Sequence, residues 1–124
     1  MKLSLNSVVI RTKEMQKSLD FYKNVLNFEF DTLMSAAPGK QIAFLTDPET
    51  GMHLELIYNE NASLPSETRM SITIKVNQIG EAEKYLRKHK VPIVSLPRTV
   101  KDGKKILTAV DPNGVELDFI EFKN

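Results

Sequence analysis

Residues 47 to 57 read Asp-Pro-Glu-Thr-Gly-Met-His-Leu-Glu-Leu-Ile, and residues 111 to 120 read Asp-Pro-Asn-Gly-Val-Glu-Leu-Asp-Phe-Ile. Each is a Pro/Gly turn followed by a strand-like run with a carboxylate four positions after the glycine, Glu55 after Gly51 and Asp118 after Gly114. The two glycines lie 63 residues apart in a chain of 124. A repeat on this scale dictates architecture before any local propensity does. It predicts two duplicated modules, about residues 1–60 and 69–124, whose matching strands bring two carboxylates towards one site.

Outward from these turns the same order of elements recurs. Leu3 to Arg11 alternates and is rich in β-branched residues, which predicts a strand. Thr12 can cap a helix over about Lys13 to Asn27, where Met15, Leu19, Tyr22 and Leu26 recur at helical spacing. Strands are expected at Phe28 to Leu33, Gln41 to Thr46 and His53 to Tyr58, with a turn at Ala36-Ala37-Pro38-Gly39. The polar stretch Asn59 to Glu67 reads as a linker. The order then repeats: a strand at Met70 to Val76, a helix from a cap at Asn77 to about His89, and a strand at Val91 to Leu96. A hairpin around Asp102-Gly103 and a final strand at Val115 to Phe122 complete it. Ser7 and Ser71 match at an offset of 64, within one residue of the glycine offset. The whole is read as a single domain, because modules of about sixty residues bury too little surface to be stable alone.

Strand side chains alternate between faces. Val8, Ile10, Leu54, Leu56, Ile72, Ile74, Val76, Leu117 and Phe119 then share a wholly apolar face suited to the helices. The opposite face receives Ser7, Val9 and Arg11, His53, Glu55 and Ile57, Ser71, Thr73 and Lys75, and Glu116, Asp118 and Ile120. That mixture fits the wall of a cavity.

Seventeen Lys and Arg residues nearly cancel sixteen Asp and Glu, so no overall field draws the protein to nucleic acid or a membrane surface. Lys101, Lys104 and Lys105 read as a solvated hairpin tip. There is no cysteine, which excludes disulfides, thiolate metal ligands and a cysteine nucleophile. No apolar run has the length of a signal peptide core or a membrane span, and a cytoplasmic location is the expectation. Nucleophile elbows, phosphate-binding glycine loops and zinc-spaced helix motifs are absent from the sequence.

The opening Ser7-Val8-Val9-Ile10-Arg11-Thr12, the stretch Ser18-Leu19-Asp20-Phe21-Tyr22-Lys23-Asn24-Val25-Leu26-Asn27-Phe28, and the paired Asp-Pro…Gly turns with their carboxylate strands together resemble the vicinal oxygen chelate superfamily. This is the group of glyoxalase I, bleomycin-resistance proteins and extradiol dioxygenases, and the likeness runs over essentially the whole chain. The resemblance implies an α+β fold of two βαβββ modules forming a cupped, mostly antiparallel eight-stranded sheet with helices on the outer face. It also implies a ligand in the cup, and a homodimer. The family's metal positions fall on Ser7, Glu55, Ser71 and Asp118. Many of its metalloenzymes carry histidine where both serines stand here. Two carboxylates and two hydroxyls make an oxygen-only set, suited to weakly bound magnesium, manganese or calcium rather than zinc or nickel.

Two readings of Glu55 and Asp118 stay open at this level. They are ligand-facing groups of a small-molecule-binding protein whose metal site has degenerated, with Ser7, Val9, His53, Ser71, Thr73 and Glu116 around the ligand. Alternatively they are metal ligands, or the base and proton carrier, of a glyoxalase-like lyase or isomerase. His53 points to the same side as Glu55 and is expected at the cavity rim or as a base. His89, between Lys88 and Lys90, reads as surface. Arg11, Arg69 and Lys75 are charges for an anionic substrate or, more simply, solvated ones.

Overall fold

The structure is a computed structural model that describes residues 1–64, 69–100 and 102–122. Lys101 and the end of the expected linker lie outside the described residues. The chain divides into two units, Met1–Leu64 and Pro65–Asn124, each with a four-stranded mixed sheet. The first carries β1 (Val8–Thr12), α1 (Met15–Asp20) continued as a π-helical turn (Phe21–Val25), β2 (Glu29–Ala37), β3 (Lys40–Thr46) and β4 (His53–Asn59). The second carries β5 (Ser71–Val76), α2 (Ile79–Lys88), β6 (Ile93–Thr99), β7 (Lys105–Val110) and β8 (Glu116–Glu121). Strand orders are β1-β4-β3-β2 and β5-β8-β7-β6. The first and last strands of each unit run parallel and the other pairs antiparallel. This is the α+β, twice βαβββ arrangement that the repeat predicts.

The repeat holds down to the ladder. Val8 sits opposite Leu54 as Ile72 sits opposite Leu117, and Val9 opposite Glu55 as Thr73 opposite Asp118. Both units also place a bulge at the same point, between Phe30 and Thr32 in β2 and between Ile93 and Ser95 in β6. The offset alternates between 64 and 63 along the chain, and the structure shows two places where the first unit gains a residue. Helix one, with its π-helical turn, holds one residue more than α2 between Met15 and Asn27. Such turns are the usual way a helix absorbs an insertion. The Asp47–Gly51 turn is likewise one residue longer than Asp111–Gly114. Asn27 and Lys90, 63 apart, both adopt the left-handed conformation that ends a helix, with φ 61° and 57°.

Of the helix-facing set, Ile10, Leu54, Leu56, Leu117 and Phe119 are buried, and Val8, Ile72, Ile74 and Val76 are half-buried. Ile10, Leu19, Tyr22, Ala43, Leu45, Leu54 and Leu56 are buried in the first unit, and Ile79, Leu86, Leu107, Ala109, Leu117 and Phe119 in the second. Ala43 and Leu45 in β3 are answered by Leu107 and Ala109 in β7, so the large and small positions are exchanged. In the ladders Ala43 lies beside Leu56 and Leu107 beside Phe119.

Three boundaries differ from the sequence reading. Strand β1 starts at Val8, and Leu3 and Leu5 are exposed, because β4 offers partners only as far as its own start at His53. The first helix is shorter and π-wound at its end. Asn77 does not cap α2: Gln78 occupies that position, and the carboxylate of Glu121 at the end of β8 accepts from the Ile79 N–H at 2.9 Å. A carboxylate at a helix N-terminus satisfies an orphan donor and meets the positive end of the dipole. Among the described residues, no helix is long and apolar enough to cross a membrane.

Candidate functional site

The two Asp-Pro turns aim the carboxylate strands. Asp47 Oδ1 accepts from the Glu49 N–H at 3.0 Å and Oδ2 from the Thr50 hydroxyl at 2.9 Å. Asp111 Oδ1 accepts from the N–H groups of Asn113 and Val115 at 2.7 and 2.8 Å. Gly51 and Gly114 close the turns at φ 77° and 83°, a region glycine enters without Cβ conflict. Strands β4 and β8 therefore leave in matching register.

In the first unit, Ser7 lies immediately before β1 and donates to Glu55 Oε2 at 2.5 Å. Glu55 is half-buried. An open depression of about 270 Å3 includes Ser7, Asp31, Phe44, His53 and Glu55 in its lining. Phe44 stands beside Glu55 and Thr46 beside His53 in the β3–β4 ladder. Thr46 donates to Asp31 Oδ2 at 2.6 Å, and its oxygen lies 3.1 Å from His53 Nδ1. Asp31 is the extra residue of the β2 bulge, and bulges commonly re-aim a side chain in this way. Val9 sits opposite Glu55 and is 40% exposed.

In the second unit the equivalent carboxylate is held differently. Asp118 Oδ1 accepts from Thr108 Oγ1 at 2.6 Å, and Thr108 accepts from Arg98 Nη2 at 3.1 Å. Arg98 Nη1 also donates to Ser95 at 2.8 Å. Ser71, Thr73 and Glu116 are exposed on the same face of this sheet, Thr73 directly opposite Asp118. Among the described residues no hydrogen bond joins Ser71 to Asp118; the partner is Thr108. The short aspartate is met by the hydroxyl directly across from it on β7. Where β7 offers Thr108, β3 offers Phe44, so Glu55 has no such donor on that side and uses Ser7.

The other charges are accounted for locally. Lys75 and Lys104 lie 5.0 and 4.2 Å from the ring centroid of Phe122, and Lys104 also approaches Asp102 at 3.7 Å. Arg11 and Arg69 are exposed. His89 is exposed, with its ring 4.5 Å from that of Tyr85.

Among the described residues no group of three or more His, Asp and Glu is arranged to hold a metal ion. The donor chemistry agrees: Ser7 and Thr108 spend their protons on the two carboxylates, and a neutral hydroxyl is a poor substitute for imidazole. These residues do not fit a resident transition metal.

Residues 4–119 match the family model described as the glyoxalase/bleomycin resistance protein/dioxygenase superfamily. The chain belongs to that superfamily. Its fold is shared with a member from Sphaerobacter thermophilus, at a TM-score of 0.78 and 23% identity over 98% of each chain. The structure described as SMU.1112c superposes at a TM-score of 0.81 with 19% identity, over 96% of this chain and 98% of that one. A glyoxalase I mutant from Zea mays gives a TM-score of 0.76 and 20% identity over 96% of this chain, which spans 45% of the maize protein. Comparison with curated protein sequences finds no match. At these identities the superfamily likeness establishes the fold.

Thr108, Arg98, Asp31 and Thr46 escape the strand-and-carboxylate reading. Thr46 was within reach of it, since a hairpin closed by Asp47–Gly51 puts Thr46 beside His53. Asp31 was not, because nothing in the alternation of β2 announces its bulge.

Proposed function

We propose that this superfamily member binds a small organic molecule in the depression of its first unit, with Ser7, His53 and Glu55 as the polar contacts and no resident transition metal. The observation that carries this reading is the 2.5 Å hydrogen bond from Ser7 to Glu55 inside the depression. It leaves a preformed, half-buried carboxylate with one oxygen committed and the other available, beside an aromatic wall. Few convergent polar groups in a largely apolar hollow are the usual composition of a ligand site. Asp118, Ser71, Thr73 and Glu116 form the corresponding face of the second unit, and a homodimer is part of the same proposal.

A thermal-shift screen of small polar organic molecules tests it, run on native protein and on Glu55→Gln. Compounds that stabilise the native protein and lose their effect in the variant support the reading. Stoichiometric divalent metal in purified protein, lost on Glu55→Gln and accompanied by turnover of a hemithioacetal, would replace it with the lyase reading.

A further inference from the structure

Resting on that site, the Asp31–Thr46–His53 chain carries a statement about what the depression selects. A threonine hydroxyl has one proton and two lone pairs. At 2.6 Å the Thr46 proton is committed to Asp31 Oδ2, a carboxylate that only accepts. Thr46 Oγ1 can then only accept from the ring nitrogen 3.1 Å away. The neutral imidazole of His53 must therefore carry its proton on Nδ1, leaving Nε2 with its lone pair. The hydrogen bond made by one ring nitrogen sets the role of the other.

We infer that Asp31 and Thr46 are positioning residues that fix His53 as the Nδ1–H tautomer, so that the depression presents Nε2 as an acceptor beside Glu55 and takes a ligand bearing a protonated amine next to an apolar body. Glu55 and Asp31 are both acceptors, and among the described residues neither is ion-paired. The wall beside Glu55 is the ring of Phe44. A donor-bearing cation meets acceptors at Glu55, Asp31 and His53, whereas an anion would face two carboxylates and a nitrogen lone pair; the amide of Asn6, also in the lining, can serve either. The second unit has no counterpart: the bulge residue there is Val94, and Val110 pairs with Glu116 where Thr46 pairs with His53. The device belongs to one module of the duplicated pair.

Long-range 1H–15N correlation spectra at pH 8 read the tautomer of His53 in the unliganded protein, with His53→Gln separating it from His89. Native protein is expected to show the proton on Nδ1. Thr46→Val and Asp31→Asn each shift the population towards Nε2–H, the second because Thr46 is then free to turn its proton to Nδ1. Thr46→Ser retains the native spectrum. Native protein with the proton on Nε2, or a Thr46→Val spectrum identical to native, overturns the relay.

The ligand class is tested in the same spectra with benzylamine and benzoate. Benzylamine is expected to move the His53 and Phe44 resonances, at least tenfold more weakly in Glu55→Gln, and benzoate to leave them in place. Benzoate binding as tightly as benzylamine, or neither probe moving them, overturns the amine assignment. The tautomer is read without ligand, so it fails or stands separately from the binding proposal, which is judged by the thermal-shift and metal measurements on native protein and Glu55→Gln.

Discussion

Thr108 gives its proton to Asp118 across 2.6 Å from β7, whereas Glu55, at the matching position of the other module, receives its hydrogen bond from Ser7 on the opposite side. The duplicated carboxylates have therefore diverged in support. Asp118 is tied through Thr108 to Arg98, and Glu55 keeps an uncommitted oxygen in a depression. Under the function proposed above, Glu55 is the ligand-facing carboxylate, while Asp118 is held by neighbours within its own sheet.

Removing the Thr108 hydroxyl should cost stability. Thr108 is 5% exposed, and Thr108→Val strips a charge-assisted bond from a half-buried carboxylate and leaves Arg98 with Ser95 alone as acceptor. A loss of about 1.5 kcal/mol is expected, read as a lower urea midpoint at unchanged slope.

Ser7→Ala and Glu55→Gln should behave in the opposite way. Both sit at the half-exposed mouth of the depression, so unfolding free energy falls by no more than about 0.5–1 kcal/mol. Binding of any compound found by thermal shift is lost in Glu55→Gln and weakened in Ser7→Ala, by isothermal titration.

Lys90 closes α2 in the left-handed conformation. The Lys90 N–H bonds to the Arg87 carbonyl at 3.1 Å and the Val91 N–H to the Leu86 carbonyl at 2.9 Å, the paired bonds of a Schellman end. A lysine there carries a Cβ conflict of about 1 kcal/mol that glycine lacks. Lys90→Gly should raise stability by about that amount and the melting temperature by roughly 3–6 °C, measured by calorimetry.

Glu121 reaches back to the start of α2. Glu121→Ala leaves the Ile79 N–H without its acceptor and should destabilise by about 1 kcal/mol. Glu121→Gln keeps an acceptor but loses the charge opposite the helix dipole, and should recover about half of that loss. Chemical denaturation of the pair separates the two contributions.

Divalent ions give a further check on the donor set. If Mg2+ or Mn2+ binds no more tightly than about 1 mM, 1 mM ion stabilises the fold by at most about 0.4 kcal/mol. A thermal shift of several degrees at that concentration would contradict the poor fit of these hydroxyls to a metal.

The repeat of Asp-Pro…Gly turns, the Ser7/Ser71 offset and the alternation of the strands sufficed to determine two βαβββ modules, their core faces and the sharing of one face by Ser7, His53 and Glu55. Those features depend on periodicity and turn chemistry, which are local and visible in one dimension. Only the tertiary structure decided which hydroxyl holds which carboxylate, that Glu121 rather than Asn77 serves α2, and that Asp31 leaves its alternation to reach Thr46. Each of these depends on side-chain length measured across strands distant in sequence, or on a bulge and a π-helical turn that shift the register by one residue. A pattern of residue types carries no trace of a one-residue shift until the neighbouring strand is in place.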